Sequence, residues 1–154
     1  AAIFANWGGA LAGHEARGRS ASSHGGEVLR RTGRAGARLE AALGFPSIFV
    51  AAIPALRMAR DAGLDDNAVN IHTLFALMAA VDDTTVLFRG GLEGGSFVRD
   101  AAVAFLADGG CLRAGWFERA ERLHRAFIQR NVSAGGCADL LACTLFVLRC
   151  CGEI

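Results

Sequence analysis

Apolar residues recur along most of this chain at helical spacing, and no segment alternates as a strand would. From Asn67 to Ala80 they fall at Ile71, Leu74, Phe75 and Met78, the one-sided stripe of a core helix. His72 lies off that stripe and is expected on the surface. From Trp116 to Arg130 the pattern is strongly amphipathic. Phe117, Ala120, Leu123 and Phe127 point inward, and Glu118, Arg119, Glu121, Arg122 and Arg125 form a solvated face. Leu92 to Ala107 predicts a helix burying Phe97, Ala101, Ala104 and Phe105.

Turn and cap signals divide the rest. Ala1 to Leu11 is apolar and helical in pattern until Gly8-Gly9, and Gly13 to Gly26 reads as a polar loop. Ser23 opens a short helix ending near Gly33. A further helix covers Ala35 to Leu43, with Gly44 as its C′ residue. Phe45-Pro46 opens the next, which runs to Ala62, kinks at Pro54 and stops at Gly63. Leu64-Asp65-Asp66 is a turn and cap. Ser133 is a natural N-cap for a last apolar helix reaching Cys151. The fold class expected is all-α, a single-domain bundle of roughly six to eight helices covering residues 1–154.

Composition narrows the class. The 154 residues are 53% apolar and 20% charged, enough for one sizeable core and too apolar for disorder. The net charge of +1 gives no global attraction to nucleic acid or to acidic membranes. All 16 basic residues are Arg, which excludes a lysine nucleophile or Schiff base. Five cysteines without a Cys-x-x-Cys pair argue for buried thiols in a reducing compartment. No secretory signal is visible, and the longest apolar runs are too short for a membrane span. The expected setting is cytoplasmic. The chain opens without Met and reads as the C-terminal part of a longer one.

The densest chemistry lies between Val81 and Gly95. Asp82, Asp83, Glu93, Arg89, Thr84, Thr85 and the glycines Gly90, Gly91, Gly94 and Gly95 share this one stretch. Adjacent carboxylates suit Mg2+, an arginine forks onto phosphate, and glycine admits close backbone approach. The plainer alternative is a helix cap followed by a turn at Gly90-Gly91. A second polar glycine motif, Ser133 to Asp139, places Gly135-Gly136 at a helix start, a ready anion site.

Taken together, these stretches resemble the signatures of the triphosphoribosyl-dephospho-CoA synthase family. Asp82-Asp83-Thr84-Thr85, followed by apolar residues and Arg89-Gly90-Gly91, is similar to the family's Asp-Asp-Thr-Asn and Arg-Gly-Gly pattern. Ser133-Ala134-Gly135-Gly136-Cys137-Ala138-Asp139-Leu140-Leu141 resembles its Ser-Pro-Gly-Gly-x-Ala-Asp-Leu-Leu run. Gly36-Ala37-Arg38-Leu39-Glu40-Ala41 with Gly44-Phe45-Pro46 is similar to a third. Thr85 and Ala134 depart from the usual Asn and Pro, and the family's upstream Lys-Pro-Gly segment has no match here.

The resemblance implies a transferase. It would join the triphosphoribosyl part of ATP to the ribose 2′-hydroxyl of 3′-dephospho-CoA and release adenine. The product is a prosthetic-group precursor for the acyl carrier protein of malonate decarboxylase or citrate lyase. Asp82, Asp83 and Glu93 are then the catalytic candidates, with Mg2+ on Asp82 and Asp83. Substrate would meet Arg38, Glu40, Thr84, Arg89, Gly90, Gly91, Ser133, Gly135, Gly136 and Asp139. Replacing Asp83 by Asn is expected to abolish turnover and spare the fold. Two alternatives stand beside this: an incomplete family remnant acting as a helical interaction module, and a Mg2+-dependent nucleotide phosphohydrolase. No nucleic-acid or membrane partner is expected, and the sequence leaves a homodimer open.

Overall fold

The α4 helix, Asp66–Ala80, is the axis on which most of the other elements pack. The structure is a computed structural model describing residues 24–33 and 36–154. The other helices are α1 (His24–Thr32), α2 (Ala37–Ala42), α3 (Ile53–Asp61), α5 (Thr84–Ala107), α6 (Trp116–Gln129) and α7 (Gly135–Cys150). A π-helical turn, Ile48–Ala52, leads directly into α3, and a 3-10 turn, Gly110–Leu112, joins α5 to α6. There is no strand among the described residues, and the all-α class is as expected. The predicted helix at Ala1–Leu11 and the loop from Gly13 lie outside the described residues, apart from the loop's last three.

Asp65 caps α4, its carboxylate accepting from the Ala68 N–H at 2.8 Å. Seven α4 side chains are buried, among them Val69, Phe75, Leu77 and Met78, which surround the helix rather than forming one stripe. Such a helix must be enclosed. The α3, α5 and α7 helices and the π turn enclose it. Buried Thr73 and Thr144 return their hydroxyls to the carbonyls of Val69 and Leu140, so neither is left unsatisfied. Phe75 stacks on Phe105 of α5 at 4.1 Å between ring centroids.

Several expectations need correction. His72 is buried, 3% exposed, because α4 is covered on that side too; its Nδ1 accepts from the Cys111 N–H at 3.3 Å. Gly110 makes this possible, since a Cβ there would stand 2.6 Å from His72 Nδ1. Pro54 was expected to kink its helix. The chain instead widens into the π turn, where the Ile53 N–H bonds to the carbonyl of Ile48. On α5 the buried residues are Val86, Leu87, Gly94, Val98, Ala102 and Phe105; Phe105 is as expected, Phe97 and Ala101 are half-buried, and Ala104 is exposed. On α6 no side chain is fully buried, and Phe117 is 54% exposed. Arg119, assigned to a solvated face, instead donates to the carbonyls of Gly110 and Ala114 and lies over the Phe105 ring.

No single described helix is long and apolar enough to cross a membrane; only the bent pair α4 and α5, at 59°, passes by length and composition together.

Candidate functional site

The Asp82-Asp83 stretch is not a loop between two helices. Thr84 opens α5 at once, and the signature from Thr84 to Gly94 is itself helical. Gly90-Gly91 is correspondingly not a turn between elements. Gly91 bends α5 internally, with φ 63° and ψ −162°, a conformation open only to glycine.

Asp83 is the N-cap of α5. Its Oδ1 accepts from the N–H of Thr85 at 2.8 Å and of Val86 at 3.4 Å. Its Oδ2 accepts from the N–H of Cys137 at 2.8 Å, in the first turn of α7. One carboxylate, 6% exposed, therefore caps two helices and meets the positive ends of both. Ser133 was expected to cap α7. It is exposed, and α7 has no cap from its own neighbouring side chains. The anion that suits the Gly135-Gly136 helix start is supplied from within the chain, by Asp83.

The three motifs found in sequence converge here. A Cβ on Gly136 would stand 3.2 Å from Asp83 Oδ1. One on Gly135 would stand 3.2 Å from Thr85 Oγ1, and one on Gly36 only 2.3 Å from Thr84 Cγ2. Glu40 adds a second internal cap, its Oε2 accepting from the Ser47 hydroxyl at 2.6 Å and N–H at 3.1 Å. This fixes the entry to the π turn. The Cys137 thiol lies among these groups. Burial pushes its pKa up, and the charge of Asp83, a hydrogen bond to it and the charge of Glu40 add to the shift. Cys137 is thus a neutral packing residue.

Asp82 has a different surrounding. It forms an ion pair with Arg99, two turns beyond the Gly91 bend, and is partly open to solvent. Arg99 was not among the residues singled out in sequence. No spacing rule links residues 82 and 99, because the bend in α5 brings them together. A crevice of about 10 Å³ is lined by Asp82, Asp83 and Arg99 together with Val86, Val98 and Cys137.

Arg89 is exposed and borders a groove of about 690 Å³ between α4, α6 and α7. Ser133 and Gly135 line the same groove, which is mostly apolar elsewhere. Gly90 lets the Ser133 segment approach α5, since a Cβ there would stand 2.7 Å from Val132 Cγ1. Glu93 and Asp139 are exposed, and neither is among the residues lining the groove. Arg38 belongs to α2, but its side chain is outside the described residues.

The expected Mg2+ pair fails a test of donor geometry. Asp83 turns both oxygens toward backbone N–H groups, and Asp82 is held by Arg99. Among the described residues no group of three or more His, Cys, Asp or Glu side chains could hold a metal ion. Asp82 and Asp83 as folded do not fit a protein-held cation.

In this all-α bundle the acidic and glycine-rich signatures meet at two helix starts, beside a groove edged by an arginine. Residues 7–153 match the profile of the ATP:dephospho-CoA triphosphoribosyl transferase family, and the chain belongs to that family. Among curated relatives, a protein of Azotobacter vinelandii is 43% identical over 127 residues, 82% of this chain and 44% of its own length. One of Pseudomonas putida is 39% identical over 125 residues, 81% of this chain and 45% of its own length. One of Pseudomonas paraeruginosa is 41% identical over 130 residues, 84% and 44%. All three are named "probable 2-(5''-triphosphoribosyl)-3'-dephosphocoenzyme-A synthase". The chain spans less than half the length of these relatives. No solved structure matches it significantly.

Proposed function

We propose that this chain carries out, or contributes the helical core for, transfer of the triphosphoribosyl group of ATP to the ribose 2′-hydroxyl of 3′-dephospho-CoA. The observation that carries this is the meeting of the three family motifs at the start of α5 and α7. In the reaction the bond from the ATP ribose C1′ to adenine N9 breaks and a bond from C1′ to the incoming 2′-oxygen forms. The hydroxyl proton passes to a base, and adenine leaves protonated. Positive charge builds on the ribose, and a fixed carboxylate stabilises it.

Asp82 is the carboxylate best suited to that role. It is reachable, and Arg99 holds it in place. Glu93 and Glu40 are the further carboxylate candidates. Asp83 acts as a positioning residue that holds α5 and α7 in register. Arg89 and Ser133, at one edge of the groove, would take phosphate oxygens. Thr84, Gly90, Gly91, Gly135 and Gly136 shape the backbone, and Asp139 and Arg38 remain substrate-contact candidates. Magnesium enters as the counter-ion of the triphosphate, held by phosphate and water oxygens and not resident on the aspartate pair. A cytoplasmic setting, service to a malonate decarboxylase or citrate lyase carrier protein, a homodimer and the absence of nucleic-acid or membrane partners belong to the same proposal.

Mass spectrometry of the chain incubated with ATP, dephospho-CoA and Mg2+ tests it. Free adenine together with the joined nucleotide is the expected outcome. Phosphate without adenine would point to the phosphohydrolase, and no product to a chain that needs the remainder of its family's length.

A further inference from the structure

The groove has two unlike ends. Ser133, just before α7, and Arg89 of α5, whose neighbour Gly90 packs on Val132, line one end with a hydroxyl and a cation. Phe127, near the end of α6, shares that end, its carbonyl accepting from the Val132 N–H; toward the middle and beginning of α6 the lining becomes His124, Ala120 and Phe117, with Glu121 alongside. From Phe117 to Phe127 the helix rises roughly 15 Å, at about 1.5 Å per residue. Glu121 is paired with Arg125 at 2.7 Å, but its carboxylate still disfavours a second anion at that end. An anion is therefore directed to Arg89, and a flat, uncharged ring to Phe117. A volume of about 690 Å³ is in the range of a site for a molecule of nucleotide size.

We infer that this groove seats an adenine nucleotide, with the base against Phe117 and the phosphates at Arg89, an inference that rests on the transferase reading above. Aromatic side chains bind a base through its π face, and an arginine forks onto phosphate. Phe117 is the informative residue. It lines the groove yet is 54% exposed, which a core side chain would not be and a platform awaiting a ring would. ATP and dephospho-CoA both carry an adenine nucleotide, and the base-plus-phosphate chemistry of the groove suits either.

Titration calorimetry of the chain with ATP, dephospho-CoA and inorganic tripolyphosphate separates the sources. For the nucleotide that uses the groove, Phe117→Ala lowers affinity about ten-fold or more, while tripolyphosphate binding stays as in the parent. Ala120→Trp, which fills the groove from the same helix, abolishes binding of that nucleotide with the helical circular dichroism unchanged. Arg89→Ala weakens ATP and tripolyphosphate together. Nucleotide affinities that ignore both Phe117→Ala and Ala120→Trp, or a parent chain that binds neither nucleotide, overturn the inference. Because these are equilibrium measurements, groove-dependent binding without adenine release would sink the transferase and leave the seat standing. Adenine release with KM values untouched by both groove variants would do the reverse.

Discussion

Asp83 and Cys137 lie 54 residues apart in the chain and are joined by one hydrogen bond of 2.8 Å, from the Cys137 N–H to the Asp83 carboxylate. That bond makes the start of α7 depend on a residue that begins α5. A side chain that caps one helix usually serves that helix alone. Here it holds the two glycine-rich motifs at a fixed separation, and the geometry of everything bordering them follows.

Asp83→Asn should therefore damage the fold, contrary to what the sequence suggests. An amide offers one acceptor where the carboxylate offers two, so either Cys137 or the Thr85 and Val86 pair faces an N–H donor. Charge-assisted hydrogen bonds contribute about 1.5–3 kcal/mol each, so the loss should be of that order. Asp82→Asn weakens a partly exposed ion pair, worth about 0–1 kcal/mol. Urea unfolding of the two variants should show a clear drop in midpoint for the first and little for the second. A rate lost in Asp82→Asn then reports on chemistry, and equal midpoints would remove Asp83 from its structural role.

The glycines of the junction should tolerate no side chain. Gly36 has φ 51° and ψ −131°, and its Cβ would overlap the Thr84 methyl at 2.3 Å. Gly36→Ala should cost about 1–3 kcal/mol from overpacking alone, with the backbone strain added. Gly44→Ala also places a side chain at positive φ, but meets no atom within 4 Å, so it should cost only the backbone strain, about 1–2 kcal/mol. Thermal melts of the two variants side by side measure the difference. Equal melting temperatures would show that Thr84 yields freely.

How much of this could be read beforehand differs by residue. The stripe of Phe75 and Met78, the Asp65 cap and the glycine stops follow from local pattern, because each depends on neighbours in sequence. The Gly36, Asp83 and Gly135 motifs, linked in sequence by their resemblance to one family, meet in space at the starts of α5 and α7. The double cap at Asp83 was illegible, because its second partner is fixed by how α7 packs and not by any spacing. The same holds for Asp82 and Arg99, brought together by the bend at Gly91. His72 was misplaced because a one-sided stripe presumes one covered face, whereas α4 is covered on nearly all sides.

His72 should give stability a pH dependence. Burial lowers its pKa below the ordinary 6.5. Between the folded value and 6.5 the unfolded chain binds the extra proton, so stability rises with pH across that window and levels off above it. Protonation would also set a cation against the Cys111 N–H that Nδ1 now accepts. The urea midpoint should fall as pH drops below about 6.5, and His72→Gln should flatten that part of the profile. An identical slope in the variant would assign the effect to other groups.

The five cysteines should divide by burial. Cys143, Cys150 and Cys151 are exposed, whereas Cys111 and Cys137 are buried. Burial also pushes the Cys111 thiol up to about 11, away from the reactive thiolate. Intact-mass analysis after maleimide treatment at neutral pH should find three adducts on the native chain and five after denaturation. A rapid fourth adduct on the native chain would mean that one of the two buried sites opens readily.

The absence of any fully buried side chain on α6 also bears on how the chain moves. Lifting α6 away breaks only half-buried apolar contacts, those of Trp116, Ala120, Leu123 and Phe127, so the free energy of that local opening lies below that of global unfolding. α4, with seven buried side chains, can expose its backbone only when the whole bundle comes apart. In deuterium exchange the amides of α6 should lose protection well before those of α4, and a ligand lying along Phe117 and Phe127 should slow the exchange of α6 most. The wall that would grip a base is then also the part of the bundle that yields to admit it.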